Sequence, residues 1–327
     1  MKINILSKGF VALAFAAVII FVGCVKNATT KPPIAKPTVA QTIASATNLT
    51  LFNAALVRTG LDTVLNNPDS PVTVFVLTDQ TMGLYGLGAS VIDTMNISTL
   101  KTLLEYYMYL GGKLASSQFP AGPNDTLGMA SGDSVFITNT GSVIYVNGIS
   151  VPTTDVNASN GFLDVLTQPI YPPAGTLLQV IQSDTALSFF DTAVLKTVSA
   201  TNNIYALLTS GNIYTVFVPN NNAFRNAGFR TVDTVDVNIL ADFLSYHIIA
   251  GRYFTSDMSI ALSNTAVTND TTTKATISTL TNNAIKVTLG ISFQVEGSAD
   301  SVAANLYAPN IMARNGVIHK IDRVLLQ

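Results

Sequence analysis

Histidine, cysteine and glutamate carry much of the catalysis and metal binding that proteins do, and this chain is poor in all three. It has 327 residues with 2 His, 1 Cys and 2 Glu, Glu105 and Glu296. His247 and His319 stand far apart with no third ligand at a zinc spacing. Asn269-Asp270-Thr271 lacks the alternating oxygen donors and distal Glu of a calcium loop. Asp242 precedes His247 by five residues, a spacing at which two side chains on one helix do not face each other. No Gly-x-Ser-x-Gly elbow and no His-Glu-x-x-His helix occurs. Asp is plentiful, 17 of the 19 acidic residues, but no pair sits at a spacing that demands acid–base work. These residue types argue against an enzyme, and neither a metal nor another cofactor is expected. A net charge of −2 gives no basic footprint, so nucleic acid is not an expected partner.

The single Cys has a different explanation. Lys2 and Lys8 precede an apolar run from Gly9 to Val22, and Val22-Gly23-Cys24 follows. That run is short for a membrane span and has the layout of a signal peptide, assigned to residues 1–23. Small residues leading into Cys24 resemble a bacterial lipoprotein cleavage box, with Phe21 where Leu is usual. Lipidation at Cys24 is therefore expected, with the membrane as a partner through the lipid and the cell envelope, as an outer-membrane lipoprotein, as the location. Which face of that membrane is not fixed by the residues. Residues 24–38 hold Lys26, Lys31 and Lys36 with Pro32, Pro33 and Pro37, a composition that favours an extended tether. The whole chain is 48% hydrophobic and only 11% charged, with Thr, Ser and Asn supplying much of its polar surface, as in exported proteins.

One chemical pattern remains. Asp followed by Ser or Thr and then by an apolar residue or Thr recurs at Asp62, Asp93, Asp125, Asp133, Asp184, Asp191, Asp233, Asp270 and Asp300. The triplet resembles an O-glycan acceptor motif of envelope proteins in one group of Gram-negative bacteria. The same pairs also cap helices and turns. Both readings stand, with Asp62 and Asp233 taken as caps. Thr94, Thr126, Ser134, Thr271 and Ser301 are the candidate acceptors, in flanks that read as loop.

The elements that would position these groups occur twice. Val72–Asp79 matches Tyr214–Asn221, each an apolar run ending in helix-capping residues, hence a buried strand entering a helix. Leu103–Gly111 matches Phe243–Gly251, and the apolar spacing upstream predicts amphipathic helices, the second over Ile239–Ile249. Asn160-Gly161 matches Asn315-Gly316, read as type I′ hairpin turns with φ > 0 at both centres. Gly83, Gly86 and Gly88 lack the context of a phosphate loop and read as a loop over the core. Short strands are expected at 135–137, 143–146 and 149–151, and again at 275–277, 284–288 and 291–295. Three matched pieces in one order make a tandem repeat of α+β domains, 39–171 and 174–327, joined by a stiff segment with Pro169, Pro172 and Pro173.

The strand Thr215-Val216-Phe217-Val218-Pro219, the pair Tyr246-His247 and the closing Asn315-Gly316-Val317-Ile318-His319 are similar to the conserved blocks of fasciclin-like domains. The resemblance implies two wedge-like β-sandwiches with packed helices, and a role in adhesion or binding with an unknown protein or glycan ligand. A periplasmic scaffold lipoprotein touching other envelope proteins is the alternative, and an unrecognised enzyme a more distant one. The first repeat departs from the pattern at Leu77, Tyr107 and Asp164, where Pro, His and His are expected. With Tyr107 in place of the central His, the first repeat is read as having lost that His device or never having had it. In the second repeat, His247 falls on the apolar stripe and is read as a satisfied core histidine. The segment after it, with Ile248, Gly251, Arg252, Tyr253 and Phe254, is the candidate binding surface.

Overall fold

A computed structural model describes residues 35–263, 273–289 and 293–327. Lys36 to Gln327 form one compact unit. Within it two copies of one plan follow each other.

The first copy starts with helices α1 (Val39–Ser45), α2 (Thr50–Thr59) and α3 (Leu61–Leu65), then strand β1 (Val72–Val76). Helices α4 (Asp79–Leu84), α5 (Ala89–Thr94) and α6 (Ile97–Glu105) follow, with short strand β2 (Met108–Tyr109). It closes with β3 (Gly122–Gly128), β4 (Ser134–Asn139), β5 (Ile144–Val146), β6 (Ile149–Val151), β7 (Thr153–Asn157) and β8 (Gly161–Val165). The second copy runs α7 (Leu177–Gln182), α8 (Ser188–Lys196), α9 (Ile204–Thr209), β9 (Tyr214–Pro219), α10 (Asn221–Asn226), α11 (Val237–Tyr246) and β10 (Ile248–Ala250). Helix α12 (Thr255–Ser263) and strands β11 (Thr273–Ser278), β12 (Ala284–Leu289), β13 (Gln294–Glu296), β14 (Ala304–Ala313) and β15 (Gly316–Ile321) complete it.

Each copy is built on a parallel pair of strands, β1 with β8 and β9 with β15. A parallel pair covered on both faces calls for continuous apolar runs rather than alternation, which is why both strand sequences are almost wholly apolar. All of β1 is buried. The sheet orders match, β2-β1-β8-β7 in the first copy and β10-β9-β15-β14 at the start of the second. A second sheet, β3-β4-β5-β6, completes the first copy. In the second copy the long β14 also pairs with β13, so its two sheets run on into one of seven strands. The fold is α+β, two tandem domains with helices packed on sheets.

The structure corrects three sequence readings. Asn160-Gly161 and Asn315-Gly316 are not type I′ centres, since neither pair has positive φ. The second hairpin turns at Arg314-Asn315, one residue earlier, with Ala313 paired to Gly316. Glycine is required at 161 and 316 for space: a Cβ there would sit 2.1 Å from the Val72 carbonyl oxygen and 1.9 Å from that of Tyr214. The true I′ dipeptide is Asn147-Gly148, with φ of 49° and 78°, between β5 and β6. The glycine-bearing segment expected as a loop, Met82 to Ser90, holds the end of α4 and the start of α5, because Thr78 caps α4 through the Thr81 N–H and Gly86 and Gly88 fall between helices. Finally, α11 stops at Tyr246, leaving His247 as its C-cap and Ile248–Ala250 as a strand paired to β9. A continuous apolar run hides that switch, because helix and buried strand look alike there.

Candidate functional site

The repeated motifs serve first to tie backbone to backbone, and the two copies can be compared bond by bond. Asn315 accepts the Leu177 N–H at 2.7 Å and donates to the Leu208 and Ser210 carbonyls, both at 2.9 Å. Asn160 does the same for Val39, Leu65 and Asn67. Each Asn therefore fastens the first helix of its repeat to the start of the last strand. Thr215 donates to the Gly251 carbonyl and accepts the Tyr253 N–H, as Thr73 does for Gly112 and Leu114. Tyr246 Oη donates to the Ala284 carbonyl and accepts the Ser298 N–H. Tyr106 Oη likewise donates to the Ser134 carbonyl, but accepts from the Asn147 side-chain amide.

His247 is wholly buried. Its Nε2 accepts the Leu325 N–H at 3.0 Å, so Nδ1 carries the proton and donates to the Phe243 carbonyl at 2.8 Å. Burial pushes its pKa down to about 4, against a smaller upward effect of the Phe243 bond. His319, also fully buried, accepts the Asn310 N–H through Nδ1 and donates through Nε2 to the Tyr253 carbonyl at 2.9 Å. It stacks on Phe217, with ring centroids 5.3 Å apart, and burial takes its pKa to about 4 as well. Both histidines are neutral, doubly bonded and closed off from solvent.

The first repeat keeps both devices with other side chains. Tyr107 Oη accepts the Ile170 N–H at 2.8 Å and donates to the Ile170 carbonyl at 2.9 Å. Ile170 lies as far beyond Gly161 as Leu325 lies beyond Gly316, so Tyr107 latches the same point of the chain as His247. The device read as lost is retained by a longer side chain. Asp164 accepts the Asp155 N–H at 2.8 Å, as His319 accepts that of Asn310. Asp155 and Asn310 both have positive φ, 60° and 62°, at register shifts in the adjoining strand. Burial raises the Asp164 pKa to about 7, the Asp155 N–H opposes that, and the Asp155 carboxylate adds to it.

The segment expected as the binding surface faces the first repeat. Ile248 and Phe254 are fully buried and Gly251, Arg252 and Tyr253 half-buried. The Arg252 guanidinium lies over the Phe136 ring at 4.1 Å and donates to the Gly316 carbonyl at 3.0 Å. Asn124 Nδ2 donates to the Arg252 carbonyl at 2.9 Å. Phe254, Met312 and Val317 form a small apolar cluster that Phe136 closes. Beside it, Thr138 Oγ1 donates to the buried Asp257 carboxylate at 2.5 Å, and burial lifts that carboxyl above its usual range. Asn124, Phe136, Thr138 and Asp257 had no signal in the sequence, since each partner lies more than a hundred residues away.

Among the candidate acceptors, Thr94 is exposed at the end of α5, with its hydroxyl donating to the Ser90 carbonyl at 2.7 Å. Thr126 is exposed on β3, Ser134 half-buried on β4, and Ser301 exposed between β13 and β14. Of these four described residues, only Ser301 is in a loop. Cys24 and Thr271 lie outside the described residues. Among the described residues no three His, Cys, Asp or Glu side chains are grouped to hold a metal ion, and no helix is long and apolar enough to cross a membrane.

Fold and repeated ties define a tandem pair of small α+β domains. The fasciclin domain family matches residues 47–172 and 191–327, and the chain belongs to that family. It is 28% identical over 152 residues to the uncharacterized protein sll1735 of Synechocystis, a match covering 46% of this chain and 96% of that protein. It is 26% identical to transforming growth factor-beta-induced protein ig-h3 of Sus scrofa, over 56% of this chain and 24% of that protein. With stabilin-1 of Mus musculus the identity is 30%, over 46% of this chain and 6% of that one. The chain thus spans nearly all of the cyanobacterial relative but a small part of the two animal proteins. Among solved structures, a domain pair from the insect cell adhesion molecule fasciclin I aligns with 85% of this chain and 96% of its own, at 16% identity and a TM-score of 0.40.

Proposed function

We propose that this protein is an adhesion or binding module of the cell envelope, a lipoprotein anchored at Cys24 that presents its two fasciclin domains on the tether of residues 24–38. The observation that carries the reading is the joint between the repeats. Arg252 on Phe136, Thr138 on Asp257 and the cluster around Phe254 hold the two domains at one angle. A fixed pair presents a continuous surface without the ordering cost that a hinged pair incurs on binding. The titratable groups support binding over catalysis, since both histidines are neutral and bonded to backbone. A single acyl chain holds a protein marginally, while several chains at about 0.8 kcal/mol per buried methylene hold it firmly. O-glycans at Thr94, Thr126, Ser134, Thr271 or Ser301 would extend the exposed surface.

Cell fractionation with wild type and Cys24→Ser, combined with protease shaving of intact cells, tests the reading. The expected result is wild type in the membrane fraction and cut by protease, with the variant released. Wild type that stays intact on shaved cells favours a periplasmic scaffold, and a variant that stays in the membrane removes the lipid anchor. An intact mass equal to the lipidated polypeptide would remove the glycans.

A further inference from the structure

Where the two repeats meet, on the side lined by the segment that joins them, lies an open groove of about 550 Å³. That is within the roughly 300–1,000 Å³ of small-ligand pockets. Three tyrosines from separate parts of the chain line it: Tyr85 after α4, Tyr171 in the joining segment and Tyr307 on β14. Their exposures are 45%, 49% and 48%, unusual for three aromatic rings around one concavity. Burial raises the Tyr171 hydroxyl pKa, and Tyr85 adds to the rise, so these two phenols are near neighbours. Pro169, Pro172 and Pro309 stiffen the walls. Strand β14 departs from regular pairing on either side of Ala308, and such bulges re-aim side chains beside binding sites.

We infer that this groove binds a neutral saccharide, the Tyr85, Tyr171 and Tyr307 rings stacking on sugar faces while their hydroxyls and the Gln168 amide bond the sugar hydroxyls. The proposal deepens the binding reading above and rests on it. Charge is the first argument. Among the described residues no Asp, Glu, Lys, Arg or His lines the groove, so a charged occupant would leave water without a compensating partner. Hydrogen bonding is the second. Among the described residues the three phenols and Gln168 make no hydrogen bond within the chain, and a hydrocarbon occupant would leave all four unpaired. Phenol and amide each both donate and accept, as sugar hydroxyls do. A proline-rich peptide offers carbonyl acceptors but no N–H at its prolines, which matches only half of that capacity. The amides of Asn147 and Asn310 are already spent inside the fold, on Phe136 and Tyr106 and on Thr255, so they shape the wall rather than meet the ligand.

The test is binding of the purified full chain to an array of neutral oligosaccharides, a sialylated oligosaccharide and a proline-rich decapeptide, followed by calorimetry on any hit. Tyr171→Ala and Tyr307→Ala alter exposed positions, and thermal melts verify that they fold. Each should weaken binding of a neutral oligosaccharide about two- to tenfold, the range of an aromatic stacking contact, while Tyr→Phe at the same positions keeps part of the affinity. Binding of none of the neutral sugars, binding unchanged in both alanine variants, or preference for the decapeptide or the sialylated sugar would each overturn the proposal. The two readings fail separately. Attachment to cells that survives both alanine changes rejects the groove and leaves adhesion standing, whereas sugar binding without cell attachment does the reverse.

Discussion

Acid should loosen the second repeat and tighten the first. The second holds His247 and His319 buried and neutral, with pKa values near 4 against an ordinary value of 6.5. In the unfolded chain both take up protons as pH falls through 6.5, and the folded form refuses them until about 4. Their stabilisation is therefore present above 6.5 and lost between 6.5 and 4. At about 1.4 kcal/mol per unit, each costs up to about 3 kcal/mol. Asp300 and Asp257, raised by burial, work in the opposite sense, since each favours the protonated fold as pH drops below its raised value. In the first repeat Asp164 stays protonated to about 7 in the fold and ionises at 3.8 when unfolded. That pushes folding uphill as pH rises from 3.8 to 7, so acidification to 4 returns up to about 4 kcal/mol. Hydrogen exchange of the full chain at pH 7 and 4.5, corrected for intrinsic rates, separates the repeats because peptides report local opening. Peptides of β9 and β15 should lose protection while those of β1 and β8 hold or gain. Equal losses in both repeats, or a gain in β15, would refute the assignment of neutral buried histidines.

Further outcomes follow from single contacts. Gly316→Ala would place a Cβ 1.9 Å from the Tyr214 carbonyl oxygen and should cost about 3 kcal/mol, read by urea titration. Tyr107→Phe leaves the Ile170 N–H and carbonyl without their partner, costing about 1–3 kcal/mol in the same assay, with the loss confined to peptides of the first repeat. Residues 174–327 expressed alone should melt cooperatively, but below the full chain, because the Phe254 cluster and Arg252 lose Phe136. Phe136→Ala in the full chain should reproduce most of that drop.

Much of the fold was legible because the strands Val72–Val76 and Tyr214–Pro219 and the Asn-Gly pairs recur in one order. A repeat makes a weak local signal count twice. The Asn-Gly pairs were located correctly and misread in cause, since a tight approach of strands and a positive φ both select glycine. At Asn147-Gly148, by contrast, both angles are positive and the turn itself selects the pair. The helix was run past Tyr246 because Ile248 and Ile249 are as apolar in a buried strand as on a helix face. Tyr107 was read as a loss, because sequence shows the side chain exchanged and not the backbone group at Ile170 it still reaches. The joint was not legible at all, for nothing local to Thr138 or Phe136 announces a partner more than a hundred residues on.

The measurement closest to the central claim is retention on cells. Beads coated with the purified chain, flowed over envelope fragments and intact cells, should be retained saturably and released by excess soluble chain. Phe136→Ala, which frees the angle between the domains, should weaken that retention more than it weakens binding by the first repeat alone. Beads retained no better than those coated with an unrelated protein would contradict an adhesion or binding role for this pair of fasciclin domains.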